Sequence, residues 1–132
     1  MLHIPRKLAE TIIDLAYEGL PRKVCGILGG KGGVVSTILP VANTAAIGEH
    51  YSMDHGEQLN AMRELQEKGL DMLGIYHSHL DNIAYPTADD IHLPLSWDVS
   101  HVIVSLKKLD NPVLKSFRIS AGHVEPEQVD YL

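Results

Sequence analysis

Apolar positions over the first twenty residues recur at helical spacing. Leu8, Ile12, Leu15 and Ala16 share one face, behind Pro5, which suits a first helical position, and ahead of Gly19, available as a left-handed cap. The spacing predicts a helix over 6–18. The period then changes. Val24-Cys25-Gly26-Ile27-Leu28 is a short continuous apolar run, closed by Gly29-Gly30-Lys31-Gly32-Gly33 and followed by Val34-Val35-Ser36-Thr37-Ile38-Leu39, which predicts a hairpin around a mobile glycine turn. Residues 42–50 are small and polar and read as a loop, with Tyr51-Ser52-Met53 extended after it. Asp54 stands three before Glu57 in a capping-box pattern, and Leu59, Met62 and Leu65 form an apolar stripe that stops at Gly69, predicting a second helix with that stripe in the core. Met72–His77 reads as a buried strand, Thr87 to about Leu95 as a short helix closed near Pro94, and His101–Leu106 as another strand. Asp110-Asn111-Pro112 turns the chain into a strand over Val113–Ile119, with a last turn near Ala121-Gly122.

Strand pairs joined by tight turns and interspersed with helices favour an α+β fold with a mixed, largely antiparallel sheet over a doubly wound parallel one. The 132 residues carry no repeats or linkers and predict a single domain over 1–132. With 45% apolar and 21% charged residues the chain has the composition of a soluble globule. Eleven Lys+Arg against 17 Asp+Glu, a net charge of −6 without basic runs, argue against a phosphate-backbone partner, so no nucleic acid is expected. No stretch approaches the roughly 18 apolar residues of a membrane span, and Met1–Lys7 has no apolar signal core behind its charges, so the expected address is the cytoplasm, away from membranes. One cysteine cannot form an internal disulfide or a Cys-only metal site, and Cys25, within an apolar strand, reads as a small buried hydrophobe. The glycine cluster lacks the Lys-Ser/Thr and following helix that a phosphate loop needs.

Eight histidines are the compositional oddity. His77 and His79 are two apart at the end of a predicted strand, so their imidazoles point to one face side by side. Asp90, on the first turn of the next predicted helix, can supply a third ligand. Two His and one carboxylate are a catalytic-type zinc set that leaves a position for water, whose pKa zinc brings down to about 7. Thr87, one helical turn before Asp90, can donate a hydrogen bond to a developing oxyanion. Each feature also has a bland reading: exposed strand histidines are common, and a Thr with an acidic residue three later is a helix cap worth about 1 kcal/mol. His3, His50, His55, His92, His101 and His123 show no paired spacing and read as surface or core.

H-S-H, seven residues, Thr87, two residues, Asp90 resembles the H-x-H, seven residues, Ser, two residues, Asp pattern of the JAMM (MPN-plus) zinc isopeptidases. Leu20-Pro21-Arg22-Lys23-Val24-Cys25-Gly26-Ile27-Leu28-Gly29-Gly30 is similar to that family's first-strand motif. Tyr51–Leu59, Ile75–His79, Ala84–Thr87 and Val102–Ser105 resemble its short bacterial branch, so that the likeness covers nearly the whole chain. The resemblance implies a JAMM/MPN (cytidine-deaminase-like) fold, a mixed sheet flanked by helices in α/β/α-like layers, with Zn²⁺ held by His77, His79 and Asp90. It further implies a partner, the C-terminal Gly-Gly of a small ubiquitin-like sulfur carrier, and hydrolysis of the bond to an attached residue, as when cysteine assembled on a carrier is released. It leaves the oligomeric state open, a homodimer included.

Three positions depart from the pattern. Thr87 replaces Ser and keeps the hydroxyl, and Leu80 replaces a frequent Pro. The third is consequential: the general-base Glu of the motif falls on Lys23. A lysine ammonium cannot take a proton from water and would stand beside Zn²⁺ as a like charge. Desolvation could turn it into a base, it could swing out to solvent, or Glu18 or Glu49 could substitute from outside the motif. The alternative to an active metallopeptidase is therefore a binding module of the same fold that recognises a Gly-Gly tail without cutting.

Overall fold

In the computed structural model, which describes residues 1–48, 50–91 and 98–132, the chain forms β1 (Leu2–Ile4), α1 (Arg6–Gly19), β2 (Cys25–Lys31), β3 (Val34–Val41), α2 (His55–Glu67), β4 (Asp71–His79), α3 (Ala88–Ile91), β5 (Ser100–Ser105), β6 (Val113–Ser120), β7 (His123–Glu127) and β8 (Val129–Tyr131). The strands of the described residues make one mixed sheet in the order β7-β6-β5-β4-β2-β3-β1-β8. β4 is parallel to β5, and β1 is parallel to both β3 and β8, while the other pairings are antiparallel.

The two long helices cover opposite faces because neighbouring strand residues point opposite ways. On one face Ala9, Ile12 and Ala16 of α1 pack with Leu28, Val35, Tyr76, Val102 and Val104. On the other, Ala61 and Leu65 of α2 pack with Ile27, Val41 and Ile75. Pro5 gives α1 no side-chain cap. A missing cap costs about 1 kcal/mol, whereas enclosing one large aliphatic side chain such as the fully buried Ile12 returns about 1.5–3 kcal/mol. Packing, not capping, holds this helix.

The α2 start matches its sequence pattern in one direction: the Asp54 carboxylate accepts from the Glu57 backbone N–H at 3.0 Å. Glu57 does not reciprocate within the helix. Its carboxylate accepts from the Ala42 N–H at 3.2 Å and so ties α2 to the end of β3.

Several expectations are corrected. Gly19 is not a left-handed cap: α1 leaves through Leu20, whose extended φ −52° and ψ 139° are what a residue before proline adopts. A Cβ on Gly19 would instead lie 2.3 Å from the Val24 side chain, so glycine is there for room. Of the glycine cluster only Gly32 and Gly33 turn the chain, with φ +59° and +76° as a tight hairpin requires. Gly29 and Gly30 remain in β2. Leu59 is exposed, and the buried positions of α2 are Ala61 and Leu65. The helix expected from Thr87 is described over Ala88–Ile91, and its remainder to Leu95 lies outside the described residues. β1 and β8 carry no readable periodicity and pair with each other from the two ends of the chain, Leu2 opposite Val129. Among the described residues no helix is long and apolar enough to cross a membrane.

Candidate metal centre

His77 and His79 close β4, which is flanked by β2 and β5, so both imidazoles lie on the α2 side of the sheet and are buried. Their Nε2 atoms are 3.2 Å apart. The segment after β4 returns Asp90 to them: Oδ1 is 3.2 Å from His77 Nε2 and Oδ2 is 3.0 Å from His79 Nε2. One donor atom from each of the three falls within 4.8 Å of the others, and all three residues are buried. Thr87 and Asp90 form a reciprocal cap, the Thr87 N–H donating to Asp90 Oδ2 at 2.9 Å and the Asp90 N–H to Thr87 Oγ1 at 3.2 Å. The structural reading of that pair is therefore correct. It also aims the carboxylate at the histidines.

Proton assignments at the site follow from its partners. The Ile83 carbonyl, which can only accept, is 2.8 Å from His79 Nδ1, so that nitrogen carries the hydrogen. The other ring nitrogen, His79 Nε2, faces Asp90 Oδ2 at 3.0 Å. Burial holds His77 below the usual imidazole range, against the pull of Asp90, and favours its neutral form, and its Nδ1 is buried without a partner. Burial alone would push the Asp90 carboxyl up. Its contacts with His77 and His79 and the Thr87 N–H overcome that and hold it far below the usual carboxylate range. A carboxylate and the Nε2 atoms of two imidazoles thus converge on one point, the donor set that a divalent cation takes. The Ile83 carbonyl acts as the outer partner that sets ring tautomer and orientation.

Two residues that sequence reasoning did not place in the site belong to it. Tyr51 is buried and stacks on His77, with ring centroids 4.5 Å apart at 23°. His50 Nδ1 lies 3.5 Å from Asp90 Oδ1, and burial lowers its pKa. They end a polar loop with no periodicity. The one local signal was an aromatic residue in an otherwise small and polar stretch.

Lys23 lies at the site's edge. Val24 and Ser78 bond across β2 and β4 through the Ser78 N–H to the Val24 carbonyl and the Val24 N–H to Ser78 Oγ, at 3.0 and 2.8 Å. The β2–β4 pairing ends at Cys25 opposite His77, so Lys23 lies two residues before the paired stretch, near enough to His50 to act on it electrostatically. It lines a cavity of about 310 Å³ together with Asn43, Leu80 and Asp81. Glu18 is exposed on α1, which covers the opposite face, and does not join the site. Glu49 and His92 lie outside the described residues. Among the remaining histidines, His3 pairs with Asp130 and His123 with Glu125, His55 opens α2, and His101 is buried in β5 opposite Ile75.

Cys25 is enclosed beside His77, and burial, with a smaller contribution from Glu57, pushes its thiol up to about 12. A thiolate-selective disulfide reagent at pH 8 is therefore expected to leave the native protein unmodified and to titrate one thiol per chain once it is unfolded in denaturant. Rapid reaction of the folded protein would contradict the enclosed position.

Residues 5–120 match the family of prokaryotic homologs of the JAB domain. The chain is 31% identical over 132 residues to the CysO-cysteine peptidase of Mycobacterium tuberculosis, a match spanning 98% of this chain and 90% of that one. A Desulfitobacterium hafniense protein solved in solution superposes with a TM-score of 0.90 at 35% identity, over 100% of this chain and 93% of that one. A JAB1/MPN domain protein from Archaeoglobus fulgidus superposes with a TM-score of 0.68 over 100% of this chain and 99% of that one, and at 19% identity it speaks for the fold. The mixed sheet with helices on both faces is thus the JAB/MPN fold, and the chain belongs to the prokaryotic JAB family.

Proposed function

We propose that this protein is a zinc metallopeptidase of the cytoplasm that hydrolyses the bond following the C-terminal Gly-Gly of a ubiquitin-like sulfur carrier and releases an attached residue such as cysteine. The observation that carries the reading is the convergence of His77, His79 and Asp90 with the His79 tautomer held by Ile83. The likeness to a CysO-cysteine peptidase over almost the whole chain supports the substrate class.

In this reading His77, His79 and Asp90 hold Zn²⁺, whose preference for nitrogen and carboxylate donors in tetrahedral sites matches the set. Zinc there supplies Lewis-acid polarisation of a carbonyl and an acidified water. The Thr87 oxygen already accepts the Asp90 N–H, which leaves its own O–H proton to donate to the oxyanion as it forms. Tyr51 packs against His77 and excludes solvent from that side. Lys23 falls where the family's motif has its general base, a position at which a carboxylate rather than an amine would take the proton from water.

Lys23 also favours a second reading, a carrier-binding module in which hydrolysis has been lost. A carrier–cysteine conjugate incubated with the zinc-loaded protein distinguishes them by mass spectrometry of the carrier. Release of cysteine, stopped by chelation and restored by zinc, is expected for the peptidase. Tight binding without release identifies the module. If the protein holds zinc but neither binds nor cleaves any Gly-Gly carrier conjugate, both readings fall.

A further inference from the structure

The β5–β6 side of the metal centre carries a groove of about 450 Å³ that the chemistry above does not use. Its floor is Phe117, packed edge-on by Tyr85 at a centroid distance of 5.3 Å. Its wall includes Ile83 and Tyr85, which are 64% and 46% exposed. Large apolar side chains left this open beside one another mark a surface that something else covers. Lys107, Lys108 and Lys115 also line it, all exposed, and none pairs with a carboxylate among the described residues. On a chain of net charge −6 this is a local reversal of sign.

The groove lies beside the metal centre, with the 83–85 segment between them. In the sheet His77 lies across from Ile103 and Ile103 from Lys115, while His79 lies across from Ser105 and Ser105 from Val113. Two strand spacings, about 10 Å, therefore separate groove from histidines on one face of the sheet, a distance that about three extended residues cover. The segment between them is pinned at two adjacent residues: the Ser105 hydroxyl donates to the Asn82 carbonyl at 2.6 Å, and the Ile83 carbonyl accepts the His79 ring N–H.

We propose that this groove docks the folded body of the carrier, through an apolar patch edged with Asp and Glu, while the carrier's short C-terminal tail runs on to the metal centre. The proposal rests on the carrier reading above. Three features support the occupant: complementarity between the three lysines and an acidic rim, an apolar floor for the patch, and a reach that suits a tail of a few residues. A docked body bears directly on Ile83 and hence on the ring it orients. Recognition then depends on the fold of the carrier and not only on its terminal glycines.

The test uses zinc-loaded full chain and calorimetric titration with each ubiquitin-like protein ending in Gly-Gly encoded in the source genome, alongside a synthetic peptide of that protein's last six residues. The carrier is expected to bind at least roughly tenfold more tightly than its tail peptide. The K107E/K108E double variant is expected to remove that advantage without changing tail affinity or zinc content, and Tyr85→Ser to weaken the carrier alone. If the carrier binds or is processed but the variants bind it as tightly as wild type, this proposal falls and the carrier reading stands. If no such protein binds wild type, both fall. Sedimentation of the free protein gives the remaining arm: a homodimer that K107E/K108E dissociates assigns the groove to a second copy and overturns the proposal.

Discussion

Replacing Lys23 with glutamate is expected to raise the turnover of a carrier–amino-acid conjugate by roughly 10²–10⁴-fold, the usual contribution of a positioned general base. Position 23 lies two residues before Cys25, which pairs with His77, so a carboxylate there stands at the edge of the metal centre, where it can accept a proton from the attacking water and return it to the leaving amine. The exchange also removes a cation from the neighbourhood of Zn²⁺, and Lys23→Gln separates the two effects. Glutamine removes the charge without adding a base, so it should tighten zinc binding while leaving turnover near the wild-type level. The substitution leaves the local backbone its support, since the Lys23 carbonyl accepts from Asn43 Nδ2 at 3.0 Å whatever the side chain. Steady-state kinetics on zinc-loaded proteins decides the matter. Equal kcat/KM for wild type and Lys23→Glu would mean that position 23 does not handle the proton in this chain.

Zinc at one hundred times its Kd is expected to stabilise the folded protein by about 2.7 kcal/mol, which for a chain of this size raises Tm by about 10 °C. The reason is local: a cation takes the place between two imidazole nitrogens 3.2 Å apart and a buried carboxylate, and binds the folded arrangement alone. Asp90→Asn should abolish most of the rise. The asparagine oxygen can still accept the Thr87 N–H, so α3 keeps its cap while the anionic donor is lost. His77→Ala should abolish it too, with metal analysis falling from one equivalent per chain to none. Calorimetric scans with and without zinc supply the check. An unchanged Tm in wild type, or an equal rise in Asp90→Asn, would remove the metal from these three residues.

The elements that could be read along the chain are those whose burial repeats at a local period. α1 shows its stripe, and β2, β4 and β5 show continuous apolar runs because each is covered on both faces. β1 and β8 show neither. Each is three residues long, and their partners lie at opposite ends of the sequence. Leu59 misled because an apolar residue on a helical stripe is no evidence of what covers it. The α2 face turns Ala61 and Leu65 to the sheet and leaves Leu59 in solvent.

The same division runs through the site. Spacing alone determined that His77 and His79 share a strand face and that Thr87 and Asp90 share a helical turn, because alternation along a strand and the rise of a helix are properties of the backbone. The resemblance to the family's motif in turn implied that Lys23 falls where that motif has its base. Tertiary structure decided which carboxylate oxygen meets which imidazole, that His50 and Tyr51 fold over them, and that residues from 83–85 and 107–117 make one basic, apolar-floored groove. Those contacts join segments with no common period, and only the order in which the strands enter the sheet brings them together.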